Sequence, residues 1–174
     1  MDLAYKSAAE LQALYRAEKL SPVETTKAAL ARIDKVNPRI NAFMVVDAER
    51  ALLAAQRSER RWRMHEPLSP IDGQPVTIKD TLNLRDHPTR AGSCTTPETA
   101  VLEDSPEAAR LKEAGAIILG KTTTPEFGWK GMTDAPLFGV TRNPWNLERT
   151  PGGSSGGAAA ALAAGIGTLA VGTD

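Results

Sequence analysis

Residues 150–174 read TPGGSSGGAAAALAAGIGTLAVGTD, four glycines set around two serines (Gly152, Gly153, Ser154, Ser155, Gly156, Gly157) and followed at once by alanine. Glycines allow backbone angles and close approaches that a Cβ forbids, and the run Ala158 to Ala164 predicts a helix whose first N–H groups face the loop. Oxygen-rich or anionic groups are favoured there. A flexible turn accounts for a bare GGSSGG equally well. A phosphate-binding P-loop is excluded, because no lysine follows Lys130. Gly165, Gly167 and Ala170 satisfy G-x-G-x-x-A, but they follow an alanine run instead of a strand, which argues against a dinucleotide site. Gly152 to Gly156 also fits G-x-S-x-G. Pro151, however, stands where an apolar strand should deliver the serine, and both histidines, His65 and His87, come before it.

Upstream of this loop the chain alternates helix and strand signals. Ser7 with Glu10 forms a capping box ahead of Leu11, Leu14 and Tyr15 at helical spacing. Ser21-Pro22-Val23-Glu24 starts a second helix that Asn37-Pro38 is expected to stop. Ile40 to Val46 predicts a strand, and Asp47 caps a helix from Ala48 to about Arg60. The run RSERRWR (57–63) is expected to be a solvated helix end rather than a nucleic-acid patch. After breaks at Pro67, Pro70 and Asp72-Gly73, the short apolar segment from Pro75 to Ile78 delivers Lys79 and Asp80. A lysine at a strand end is usually solvated, but one buried beside hydroxyls loses its proton more readily and can act as a base, so Lys79 is a candidate in need of a partner.

Residues 83–99 are loop-like, and Cys94 within them is expected to be a packed thiol. Ser105-Pro106-Glu107 starts a helix that Gly115 ends, and Ala116 to Gly120 predicts a strand buried on both faces. KTTTPEFG (121–128) is expected to be a polar connection. Trp129, Phe138 and Trp145 lie in a Gly/Pro-punctuated region, either lining a pocket or anchoring irregular chain. Helix followed by buried strand indicates an α/β fold.

With 174 residues there is enough chain for a proper core. Twenty-one basic residues balance twenty-one acidic ones, so no broad field points to nucleic acid or an anionic membrane. A single cysteine excludes an internal disulfide framework and fits a reducing compartment. The residues MDLAYKSAAE carry no apolar signal region, and no apolar run approaches a membrane span, so a soluble cytoplasmic protein is expected. Two histidines and one cysteine make no metal-ligand set, and no metal is expected.

In combination, PVTIKD (75–80), EAGAIILGKT (113–122), EFG (126–128), GVTRNPWN (139–146), TPGGSSGGAAAALAAG (150–165) and the closing VGTD resemble the amidase signature family of serine hydrolases, in order and over most of the chain. The resemblance implies the N-terminal portion of that family's fold, a mixed central sheet flanked by helices and preceded by N-terminal helices. Residues 1–66 would form a helical segment with one strand, and residues 67–174 the start of the core domain. It implies hydrolysis of a small-molecule amide at its C–N bond through an acyl-enzyme, without a cofactor. The lysine of the family's P-x-x-x-K-D pattern falls on Lys79, and the bridging serine, preceded by a cis peptide bond, on Ser154. Gly152, Gly153, Ser155, Thr173 and Asp174 would support the loop or contact substrate.

In the family, G-T-D leads a few residues later into a glycine-rich turn that ends in the nucleophilic serine and builds the oxyanion hole; this sequence ends at Asp174. A fragment inactive by itself is therefore expected, with an unpaired sheet edge that a second copy or another partner would cover. Thr123 stands where the family often has asparagine. A subunit of an aminoacyl-tRNA amidotransferase is the alternative within the family, though EFGWKGMTDAPLFG looks more like the stand-alone bacterial amidases. A non-catalytic module holding a carboxylate or other anion is the alternative outside it.

Overall fold

A computed structural model describes residues 2–174. Two short-range devices set its first helices. In α1 (Ala8–Arg16) the Ser7 hydroxyl accepts from the Glu10 N–H while the Glu10 carboxylate accepts from the Ser7 N–H, and Ser21 and Glu24 repeat the arrangement at the start of α2 (Pro22–Ile40). Helix α2 runs through Pro38, against expectation. Two contacts hold this last turn: Asn37 accepts from the Ala42 and Phe43 N–H groups with its side chain, and Ile40 is drawn into the core. Asn41 then ends the helix in the left-handed region.

Strand β1 (Phe43–Val46) leads through the Asp47 cap into α3 (Ala48–Arg63). The basic end of α3 is less solvated than expected, because Trp62 packs on Tyr15 and Arg61 forms a two-pronged pair with the buried Asp72. Strand β2 (Pro75–Lys79), α4 (Pro106–Glu113) and β3 (Ile117–Thr122) follow, then a 3₁₀ turn (Glu126–Gly128) and a short hairpin of β4 (Asp134–Ala135) and β5 (Gly139–Val140). Helix α5 (Gly156–Ala163) and strand β6 (Leu169–Val171) close the chain.

The main sheet has the order β1-β3-β2-β6 and is mixed: β1 runs antiparallel to β3, whereas β2 runs parallel to both β3 and β6. Residues of α2, α3 and α5 pack with Ile117 and Leu119 on one face, and Ala108 of α4 packs with Val76, Ile78 and Ile118 on the other. The pairing of β2 with β3 shifts register between Val76 and Thr77, so that Val76 opposes Ile118, Thr77 opposes Gly120 and Ile78 opposes Lys121. The extra residue is a β-bulge. Gly120 sits in it at φ +154°, with the Val45 carbonyl where a Cβ would be, so a side chain there would collide with β1.

Three further expectations are corrected by packing. The polar connection expected at 121–128 begins inside the sheet: Lys121 and Thr122 belong to β3, and Lys121 and the three threonines after it are buried, hydroxyls such as that of Thr123 finding backbone acceptors at Asn41 and Ala42. Cys94 is exposed, since its loop turns on hydrogen bonds of Ser93 and Thr96 and the thiol points outward. Of the two readings of the aromatics, anchoring is the one corrected: Trp129 and Trp145 are 74% and 83% exposed, and Trp145 lines a cavity together with Arg32 and Leu147.

Candidate active site

The site forms where the end of β2 meets the glycine–serine loop. β2 is buried throughout, so the lysine at its end has no route to bulk water along its stem and its ammonium must find acceptors locally. Lys79 Nζ donates to Ser154 Oγ at 2.6 Å and to Thr173 Oγ1 at 2.7 Å. No carboxylate pairs with it among the described residues. Burial without a counter-charge holds its pKa below the usual lysine value.

The loop carries Ser154 to this position through several contacts. The peptide bond between Gly153 and Ser154 is cis. Gly153 packs against the backbone of Lys130 to Met132, close enough that a Cβ would stand 2.9 Å from the Met132 nitrogen. Thr133 Oγ1 donates to the Gly152 carbonyl and accepts from the Gly156 N–H, bracketing the loop from both sides. Ser155 does not cap α5 with its side chain; its hydroxyl accepts from the Thr173 N–H and donates to the Thr173 carbonyl, which fixes the segment after β6 beside Lys79. Gly128, at φ +70°, approaches the pair so closely that a Cβ there would lie 3.7 Å from Ser154 Oγ and 3.8 Å from Lys79 Nζ.

Of the residues singled out in the sequence, Lys79, Gly152, Gly153, Ser154, Ser155 and Thr173 therefore come together, while Asp174 is exposed and outside these contacts. The N-terminus of α5 is not an open anion cradle. The Gly156 N–H is taken by Thr133, and the Gly157 N–H by the Thr123 carbonyl. Thr133 and Gly128 were not anticipated as site residues, for the groups they meet there lie 19 or more residues away in the chain. No helix of the described residues is long and apolar enough to cross a membrane, and no group of three or more His, Cys, Asp or Glu among them is placed to hold a metal ion.

This arrangement can move a proton. Ser154 is only half-buried and Thr173 is exposed, so the hydroxyl end of the pair is open to a reacting group while the amine stays inside. Phe127 and Trp129, 60% and 74% exposed on either side of Gly128, give the surroundings an apolar character.

The family model described as Amidase matches residues 24–174. The chain is 43% identical over 173 residues to a glutamyl-tRNA(Gln) amidotransferase subunit of Acidothermus cellulolyticus, covering 99% of this chain and 34% of that protein. It is 43% identical over 168 residues to an indoleacetamide hydrolase of Bradyrhizobium diazoefficiens, covering 97% and 32%. The solved structure of a bacterial aryl acylamidase of the amidase signature family superposes with a TM-score of 0.87 at 32% identity, over 95% of this chain and 34% of that one. The chain thus spans about a third of the length of the relatives it matches, and it belongs to the amidase signature family.

Proposed function

We propose that the polypeptide to which these residues belong hydrolyses the C–N bond of a small carboxylic amide, with Lys79 as base and Ser154 as bridging hydroxyl. The observation that carries this is the buried Lys79 amine at 2.6 Å from Ser154 Oγ, with no carboxylate paired to it among the described residues. In its neutral form the amine accepts the Ser154 proton, and Ser154 Oγ accepts a proton from a nucleophilic serine outside residues 1–174. That serine attacks the amide carbonyl. As the tetrahedral intermediate collapses, the proton returns through Ser154 to the leaving nitrogen, and water hydrolyses the acyl-enzyme by the same route. In this reading residues 1–174 contribute the base and the bridge.

A second reading, one component of a multi-subunit amidotransferase, draws support from the Acidothermus relative. An anion-binding module is disfavoured, because the first N–H groups of α5 are already occupied.

The test begins with the mass of the native polypeptide, followed by ammonia release from a panel of carboxamides. If the polypeptide extends beyond the 18.5 kDa of these residues, turnover is expected, and Lys79→Ala should reduce kcat/KM at neutral pH by about 10²–10⁴-fold. Activity within a few-fold of the parent, or turnover by residues 1–174 alone, would overturn the assignment. Copurification with partner proteins and dependence of activity on them would favour the amidotransferase.

A further inference from the structure

Two lysines, Lys79 on β2 and Lys121 on β3, are fully buried next to one another in the sheet, and their surroundings differ in one respect. The bulge at Gly120 makes Lys121 the cross-strand partner of Ile78, whereas Lys79 is paired with Thr122. Cross-strand partners share a face and neighbours along a strand alternate, so Lys121 lies on the face of Ile78 and Asp80, and Lys79 on the opposite one. Without the extra residue both amines would fall on the same face. On its own face Lys121 meets Asp80 at 2.7 Å, both side chains being wholly inaccessible, and donates to the Pro88 carbonyl and Thr89 Oγ1. Among the described residues Lys79 meets only hydroxyls.

We propose that Asp80 is a positioning residue that decides which of the two buried lysines keeps its proton: it holds Lys121 as the ammonium and leaves Lys79 as the amine. Burial lowers the pKa of both lysines, but only for Lys121 does a carboxylate oppose the fall. Of the other charged side chains on segments near Lys79, Arg90 is paired with Glu98, and Lys130 with Asp134. Glu126, which is half-buried, and Asp174, which is exposed, make no ion pair among the described residues. Asp80 therefore supplies the charge asymmetry. The same pair fastens the loop above the site. Ala91 N–H donates to the Asp80 carbonyl, and the Ala91 carbonyl accepts from Phe127 N–H, one residue before the Gly128 that lies over Ser154.

The inference rests on Lys79 being the base, but its test does not depend on turnover. The native polypeptide, labelled with ¹³Cε-lysine, is titrated by NMR, with the two signals assigned by their loss in Lys79→Ala and Lys121→Met. Lys79 is expected to lose its proton first, with Lys121 remaining an ammonium above that point. In Asp80→Asn the Lys121 titration should fall by about 1–3 pH units. Lys121 titrating at or below Lys79, or failing to move in Asp80→Asn, would overturn the proposal. If Asp80→Asn does not fold, the order of titration in the unsubstituted protein decides alone. Full activity in Lys79→Ala would sink the proposed base while leaving the order of the two lysines readable, so the two failures are distinguishable.

Discussion

The Lys79 amine and the Ser154 hydroxyl lie 2.6 Å apart although 75 residues separate them in the chain, and burial is what lowers the pKa of the amine. A base of this kind works only when neutral, so kcat/KM should rise with pH as Lys79 loses its proton. The acid limb of the profile should fall below the 10.5 of an ordinary lysine. A limb at or above that value, or a rate independent of pH across the range, would remove Lys79 from the role of base.

The same shift has a consequence for stability. A lysine whose folded pKa is lowered binds its proton more weakly in the folded than in the unfolded state. Lys79 therefore opposes folding below its folded pKa, and this opposition is relieved as pH rises from there towards 10.5. Lys79→Met should stabilise the protein at neutral pH, on the order of 1 kcal/mol, while removing the proposed base. Urea unfolding at several pH values measures this; a variant that is less stable at neutral pH and equally pH-dependent contradicts it.

Gly120→Ala should be costly out of proportion to its size. The added methyl meets the Val45 carbonyl of β1, and φ +154° is itself unfavourable for a residue with a Cβ. Overpacking typically costs about 1–3 kcal/mol, and relaxing the bulge would also turn Lys121 relative to Asp80. Thermal unfolding reports the first effect and the lysine titration the second. An unchanged Tm would show that β1 can move aside freely.

Asp72 is the most heavily used carboxylate away from the site. Fully buried, it accepts from Ser58 Oγ at 2.6 Å, from the Leu68 N–H at 2.8 Å and from two Arg61 nitrogens at 2.7 Å. Asp72→Ala leaves those donors without an acceptor and should cost about 3–5 kcal/mol, a fall in Tm of roughly 10 °C or more. The Lys79 titration should be unaffected in whatever folded fraction remains. A shift in Tm of only a degree or two would mean that water replaces the carboxylate.

Much of the architecture was legible in the sequence because it is decided over three or four residues. The Ser7/Glu10 and Ser21/Glu24 boxes close on themselves, and Asp47 and Ser105 cap the helices that follow them. The apolar runs from Pro75 and Ala116 became the two central strands, β2 and β3. Lys79 stood out as a lysine at the end of a short apolar segment, a candidate base if buried, and Ser154 as part of a loop that glycines let approach other groups. The resemblance to amidases connected the two before any geometry was available. Where local signals misled, a longer-range contact prevailed: Asn37 wraps the turn containing Pro38, and Asp72 reclaims Arg61 from solvent.

The sequence by itself determined the capped helices, the two central strands and the family, since each depends on local chemistry or on motif order. Only the tertiary structure decided which groups face each other. Thr133 became the bracket of the glycine–serine loop, Ser155 a clamp on Thr173 rather than a helix cap, and Lys121 the partner of Asp80 rather than a second amine beside Lys79. The last of these depends on a bulge one residue long. Side chains alternate strictly along a strand, so one inserted residue reverses the face of everything beyond it, and the pairing of distant strands alone specifies where that residue falls.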